Sequence, residues 1–257
     1  MLYQAKNGIL QFGDSTMEYI RFGRGERVLV MLPGLGDGLR TMKGTALPMA
    51  VMYRKFAKDF TVYAFSRKNP LPQGHTTRAM AADQARAMEL LGIEKADVFG
   101  VSMGGMIAQW LAIDHPEKVG KLILAVTSGR PNPILRESVE EWVSLARKGD
   151  HSGFMESNLR RIYSEKYYRK NKWLAPIVGR LTKPKSYDRF SSRRRLASAT
   201  MPVSICPVSG HLFWSWAVSR IKPWGESPPG RLLPGSPARS FICTPSGATG
   251  CTRKRRT

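Results

Sequence analysis

The stretch Asp97-Val98-Phe99-Gly100-Val101-Ser102-Met103-Gly104-Gly105-Met106 constrains this chain more than any other. It reads as a buried strand that runs into a sharp turn and directly out into a helix of small and apolar residues. The turn, Gly100-Val101-Ser102-Met103-Gly104, has the G-x-S-x-G spacing, in which a strained backbone holds one serine Oγ exposed above a sheet. Glycines flank it because the backbone crowds itself there and larger side chains would collide. The pentapeptide alone is common. A strand before it and a helix after it make it specific.

The remaining pattern alternates strand and helix. Gly8 to Phe12 and Thr16 to Phe22 alternate around Gly13-Asp14, a hairpin signature. Arg27 to Leu32 is a short apolar run, the first candidate for a central strand, and it ends in the glycine-rich loop Leu32-Pro33-Gly34-Leu35-Gly36-Asp37-Gly38. A phosphate cradle is one reading of that loop. Leu39 stands where the third glycine of G-x-G-x-x-G belongs, and no Lys-Ser/Thr pair follows. A loop that supplies a backbone N–H to an active site is the preferred reading, because the serine turn follows later.

Ala46 to Phe60 is expected as a helix, Thr61 to Phe65 as a strand, and Arg78 to Leu91 as a helix capped by Thr76 or Thr77. Strand Ala96 to Val101, a helix to about Asp114 that stops at His115-Pro116, and a buried strand Lys121 to Val126 follow. This order argues for an α/β fold with a doubly wound, mostly parallel sheet. From Pro131 the pattern turns helical. Leu135, Val139, Trp142, Val143 and Ala146 share one face, and Met155, Leu159, Ile162 and Tyr163 another, which suggests a cap over the strand ends. Residues 159–190 are basic, with ten Lys/Arg against Glu165 and Asp188. A solvated helical face is preferred to an anion-binding one, and a rim favouring anionic substrates stays open.

These residues together resemble the α/β-hydrolase fold superfamily, its small capped serine hydrolases above all. Leu32-Pro33-Gly34-Leu35-Gly36 is similar to that family's oxyanion loop, with Pro33 where histidine often stands. Gly100 to Ala108 resembles its elbow and following helix, and Asp114-His115-Pro116-Glu117-Lys118-Val119 before a strand fits as well. The likeness covers roughly residues 8–190. It implies Ser102 as nucleophile and the backbone N–H groups of Met103 and Leu35 as the oxyanion hole, each such donor worth about 10²–10³ in rate. The substrate implied is a small ester, lactone or related carbonyl compound, with no organic cofactor and no metal.

A serine needs a base, and the base an orienting acid. The family's order is Ser, then Asp or Glu after a later strand, then His near the end. The histidines after Ser102 are His115 at a helix end, His151 in a cap turn, and His211 before an aromatic cluster with no acid-bearing strand ahead of it. None stands in the expected place, so the acid and the histidine of a triad are not identified.

The tail differs in kind. Of 257 residues and a net charge of +22, residues 191–257 carry eleven Lys/Arg against the single acid Glu226. They also hold all three cysteines, Cys206, Cys243 and Cys251, and eight of the seventeen prolines, in no metal or disulfide pattern. Read one base earlier, the codons of Phe213 to Ala217 give an apolar residue, a forced Leu, a permitted Val, an apolar residue and a forced Gly, which is a buried strand ending in glycine. Ile221 can become Asp, and Gly247-Ala248-Thr249-Gly250 can become Trp-Gly-His-Gly, similar to the family's catalytic histidine loop. A frame slip after about Phe190 is therefore the preferred reading, against a genuine disordered basic tail. The division expected is 1–190 as the hydrolase domain (core 1–130, cap 131–190) and 191–257 as a non-native tail, with the C-terminal strands and helix missing. Lys121 to Val126 would then lie at or near an open sheet edge.

Function is expected to be an impaired serine hydrolase. The rivals are a non-catalytic binder of the same fold, and a basic-tail binder of nucleic acid or an anionic surface. No nucleic-acid motif supports that last reading, so no nucleic-acid partner is expected. No leader and no membrane span are read from the sequence, and a cytoplasmic location is expected.

Overall fold

The computed structural model describes residues 2–72, 74–129, 133–184, 186–187, 190 and 213–215. The hairpin forms as patterned: β1 (Lys6–Phe12) and β2 (Ser15–Phe22) pair antiparallel across Gly13, whose φ of 57° suits a residue without a Cβ. β3 (Arg27–Leu32) follows, and its side chains alternate between two apolar layers. Leu29 and Met31 point into one with Ala46 and Ala50 of α1 (Ala46–Met52), while Val30 and Leu32 point into the other. β4 (Phe60–Phe65), α2 (Thr77–Leu90), β5 (Ala96–Val101), α3 (Met103–Asp114) and β6 (Val119–Ala125) complete the alternation. Met80 and Met88 of α2 and Ile107 and Leu111 of α3 share the layer of Val30 and Leu32. A strand buried on both faces is what a parallel sheet covered by helices requires.

The sheet order is β1-β2-β4-β3-β5-β6-β7. β2 meets β4 antiparallel, and every pairing from β4 onward is parallel. The α/β, mostly parallel sheet read from the sequence is the observed one. α1 is shorter than expected, ending at Met52 instead of reaching Phe60. The chain turns early because residues 57–60 must lie on the glycine turn before β3. Arg24 donates its N–H to the Ala57 carbonyl at 3.2 Å, and a Cβ on Gly25 would fall 2.1 Å from the Asp59 carbonyl carbon. Hydrophobic periodicity carries no record of such backbone contact.

Lys121 to Val126, expected at or near an open sheet edge, is not the outermost strand. The short β7 (Phe213–Ser215) lies outside β6 and parallel to it, with Leu122 opposite Phe213 and Leu124 opposite Ser215. The rest of the expected tail, His211 and the three cysteines included, falls outside the described residues.

The cap consists of α4 (Pro133–Arg147), α5 (His151–Ile162), α6 (Glu165–Asn171) and α7 (Leu174–Thr182). α4 buries Val139, Trp142, Val143 and Ala146, as its spacing predicts. Of the face expected on α5, Met155, Leu159 and Ile162 are half-buried, and Met155 packs on the cap cluster. His151, Phe154 and Ser157 point inward, and Tyr163, beyond the helix end, is 48% exposed. Hydrogen bonds decide this: the Trp142 indole N–H donates to Ser157 Oγ at 3.1 Å, and burial of a serine then costs little. Phe190 closes the cluster edge-on to Phe154, with ring centroids 5.2 Å apart.

His151 is the titratable member of this cap core. It is 4% exposed, and its ring stacks on Phe154 with the centroids 5.8 Å apart and the planes within 7°. Thr182 Oγ1 donates to the Val178 carbonyl, so Nε2 of His151, 3.2 Å from that hydroxyl, carries the proton and donates it. Nδ1 is left buried without a hydrogen-bond partner. Burial, and then the like charge of Lys183, lower the His151 pKa from its ordinary 6.5, with Asp150 opposing. Below pH 6.5 the unfolded chain takes a proton that the folded cap refuses, so stability falls as the pH falls through the lowered folded value. Melts between pH 8 and pH 5 (about 1.5 units either side of an ordinary histidine) should therefore show an acid-side loss that is smaller in His151→Gln than in the wild type.

Candidate functional site

Ser102 sits where the sequence pattern places it, between the last residue of β5 and the first of α3. Its backbone has φ 53° and ψ −121°. A residue with a side chain in that region carries strain of about 1–3 kcal/mol, tolerated only where the surroundings over-determine it. Here they do. The Ser102 N–H donates to the Ala125 carbonyl at 2.9 Å, and the Ser102 carbonyl accepts from Gly105 N–H at 2.9 Å and from Thr127 Oγ1 at 2.7 Å.

The glycines are required by close approach. A Cβ on Gly104 would lie 1.9 Å from the Leu32 carbonyl oxygen, and one on Gly100 would lie 2.6 Å from Gly105 Cα. The start of α3 is thus pressed against the end of β3. That contact brings the Gly34 loop over the serine: a Cβ on Gly34 would be 3.3 Å from Ser102 Cβ and 3.7 Å from Oγ. Leu35, the next residue, begins a 3₁₀ turn, Leu35–Gly38. Met103 is the first residue of α3, and the first N–H groups of a helix have no carbonyl one turn back to bond to. The structure therefore brings the Gly34 backbone against Ser102, with Leu35 and Met103 the next residues along the two segments.

An ion pair that the sequence did not announce holds the loop. Asp37 and Arg67 lie 3.6 Å apart with their side chains 0% and 1% exposed. Asp37 Oδ2 also accepts the Arg67 backbone N–H at 3.1 Å, and the Arg67 guanidinium donates to the Pro33 carbonyl. Arg67 follows β4 by two residues, so the pair ties the loop after β3 to the loop after β4 on both sides of Gly34 and Leu35. The available signal was an acid inside the glycine loop and a cation just beyond the next strand. Only the parallel pairing of β3 with β4 makes them neighbours.

The described histidines have partners away from the serine. His75 Nε2 is 2.6 Å from Asp83 Oδ2, with Lys68 Nζ 2.9 Å from the other oxygen. His115 Nδ1 is 3.8 Å from Glu117 Oε1 at the end of α3, and His151 belongs to the cap core. Among the described residues no cluster of His, Cys, Asp and Glu could hold a metal ion, and no helix is long and apolar enough to cross a membrane. A cleft of about 970 Å³ opens next to Arg67, between Glu18 of β2, Leu39 and Arg40 after the 3₁₀ turn, and Leu181 and Lys183 at the end of α7, and Ser102, Met103 and Leu35 do not line it. Leu35 and Leu39 pack on the cap cluster, and Leu35 also packs on the sheet core, so the loop over Ser102 is gripped from both sides.

A sequence profile of the alpha/beta hydrolase fold matches residues 27–202. Among curated relatives, the chain is 31% identical to a fluoroacetate dehalogenase of a Burkholderia species over 141 residues, which is 54% of this chain and 45% of that protein. It is 33% identical over 137 residues to the dihydrolipoyllysine-residue acetyltransferase component of the acetoin cleaving system of Cupriavidus necator, covering 52% of this chain and 36% of that one. The chain spans about half the length, or less, of these two relatives. Among solved structures it is similar to MGS-M2, an alpha/beta hydrolase from a Medee basin deep-sea metagenome library. The TM-score there is 0.65 at 20% identity, over 77% of this chain and 74% of that one.

Two substitutions probe this geometry. Ser102→Gly relieves the backbone strain and is expected to raise the unfolding free energy by about 1 kcal/mol, read as a higher urea midpoint. Asp37→Ala removes the carboxylate that holds the buried Arg67 and should lower stability by about 3 kcal/mol in the same titration.

Proposed function

This chain belongs to the α/β-hydrolase fold family, and from that membership we propose a serine-nucleophile chemistry on small carboxylic esters, lactones or related carbonyl substrates. The observation that carries the reading is the strained Ser102, held at φ 53° between β5 and α3 with the Gly34 loop against it. In this reading Ser102 Oγ attacks the carbonyl carbon. The N–H groups of Met103 and Leu35 hold the developing oxyanion, the charge that a preorganised pair of donors stabilises most. The Asp37–Arg67 pair keeps the Leu35 side of that hole in place. The glycines and the Ala125 and Thr127 contacts keep the Met103 side.

The base and its acid are proposed to be absent from this polypeptide. His75, His115 and His151 are engaged elsewhere, and the family's order puts both groups after the cap. The one-base-earlier reading of residues 191–257 writes a strand, a permitted Asp and a permitted Trp-Gly-His-Gly in that order. We therefore propose that 1–190 is the hydrolase domain, that 191–257 is read out of frame, and that the chain is an impaired member of its family. Dehalogenase and acyltransferase names among the relatives fit a fold whose chemistry is set by the groups around one elbow.

A p-nitrophenyl ester assay and a fluorophosphonate probe test this on two proteins, the present chain and one with the frame restored after about Phe190. The present chain should show no more than the residual of about 10³–10⁴ over water that an oxyanion hole leaves without its triad. The restored chain should turn over at ordinary enzyme rates, take the probe at Ser102, and lose both properties in Ser102→Ala. Ordinary Ser102-dependent turnover by the present chain would refute the impairment. A restored chain that stays silent would favour the non-catalytic binder.

A further inference from the structure

α7 buries its small residues and half-buries Leu174 and Val178, while other large apolar residues face outward. Ala175 and Gly179 are buried, and Gly179 packs on Ser152 at the start of α5, where a Cβ would lie 3.3 Å from Ser152 Cα. The opposite face carries Trp173, Ile177 and Leu181 at intervals of four, which places them in one line along the helix. They are 62%, 47% and 81% exposed. The Trp173 indole N–H donates to the Lys170 carbonyl at 3.1 Å, which fixes the ring at the surface. Tyr163, just past the end of α5, and Tyr167 of α6, 48% and 46% exposed, stack with their centroids 4.5 Å apart. Single exposed apolar residues are ordinary, but a continuous helical ridge of this size marks an interaction surface.

The charge around the ridge says what that surface suits. Residues 163–183 contain six cations, Lys166, Arg169, Lys170, Lys172, Arg180 and Lys183, all exposed, and a single acid, Glu165. That acid is already held by Arg169 at 2.9 Å. An apolar ridge with aromatic rings, bordered by lysine and arginine, is complementary to a surface with anionic headgroups over an apolar interior. A second copy of this chain would bring the same six cations against themselves. Nucleic acid would leave the ridge uncovered.

We propose that the outer face of α7, with the basic residues on either side of it, is a docking surface for an anionic phospholipid membrane. The helix lies in the headgroup plane, Trp173, Ile177 and Leu181 enter the acyl boundary, and the cations meet the phosphates. Leu181 and Lys183 also line the cleft of about 970 Å³, so the cleft opens at the end of the docked ridge. This surface is independent of the chemistry proposed for Ser102.

The test is co-sedimentation of the full chain with vesicles of equimolar phosphatidylglycerol and phosphatidylcholine, and with phosphatidylcholine alone. The wild type should partition onto the anionic vesicles and hardly onto the neutral ones. The double variant Ile177→Ser, Leu181→Ser removes apolar area without adding charge, and its partition should fall by at least about tenfold. Lys170→Glu with Lys172→Glu should weaken binding by a similar factor at low salt. Brominated lipid should quench wild-type fluorescence more than that of Trp173→Phe, which the arginines of the tail acting alone would not produce. Unchanged melting curves verify that these surface changes leave the fold intact. Wild type that ignores anionic vesicles, or a serine variant that binds as the wild type does, overturns the proposal. So does a dimer that forms without lipid and is dissolved by the two serines.

Discussion

The approach of α3 to β3 at Gly104 sets the geometry on which everything else around the serine depends. A Cβ on Gly104 would fall 1.9 Å from the Leu32 carbonyl oxygen, so only a glycine lets the helix begin against the end of β3. The turn between β5 and α3 must then close in a single residue. Ser102 absorbs the whole change of direction and is strained for that reason. Its neighbours Ala125 and Thr127 follow β6 out of the sheet and hold both its N–H and its carbonyl. Three parallel strands thus converge on one peptide unit, as expected where function collects at the carboxyl ends of a parallel sheet.

The buried Asp37–Arg67 pair has a different task. Ion pairs out of water seldom add net stability over a well-packed apolar substitute, and their attested use is to fix one arrangement among several. Here the arrangement is the course of the Gly34–Gly38 loop. Arg67 reaches the Pro33 carbonyl on one side and the Asp37 carboxylate on the other. Leu35 lies between, with one contact surface in the sheet core and one in the cap cluster. The loop therefore transmits the position of the cap to the backbone above Ser102.

Much of this was legible in the sequence. The hairpin, β5, α3 and the sheet type followed from alternation and from the G-x-S-x-G turn, because both are local. The strained turn at Ser102 was legible too, and the structure sets the Gly34 backbone against it. What was not legible depended on contacts between distant segments. The early end of α1 answers to Gly25, the inward face of α5 to the Trp142–Ser157 hydrogen bond, and the Arg67 partnership to the β3–β4 pairing. A hydrophobicity pattern assigns serine and histidine to the outside, so on α5 it marks Met155, Leu159 and Ile162, which are half-buried, and passes over His151 and Ser157, which are buried. It also could not reveal that α7 carries Ile177 and Leu181 on the side away from the protein.

The pairing of β7 with β6 has a consequence for the order of folding. Leu122 and Phe213 are neighbours in the sheet but roughly ninety residues apart in the chain, and closing so long a loop costs only logarithmically more than closing a short one. The cost is kinetic. All four cap helices lie between the two strands in the chain, and non-local parallel pairing is slow in its own right. Until it forms, β6 presents an unpaired edge to other nascent chains. The chain that separates β6 from β7 includes the whole cap, and a compact cap shortens the span that this pairing must close.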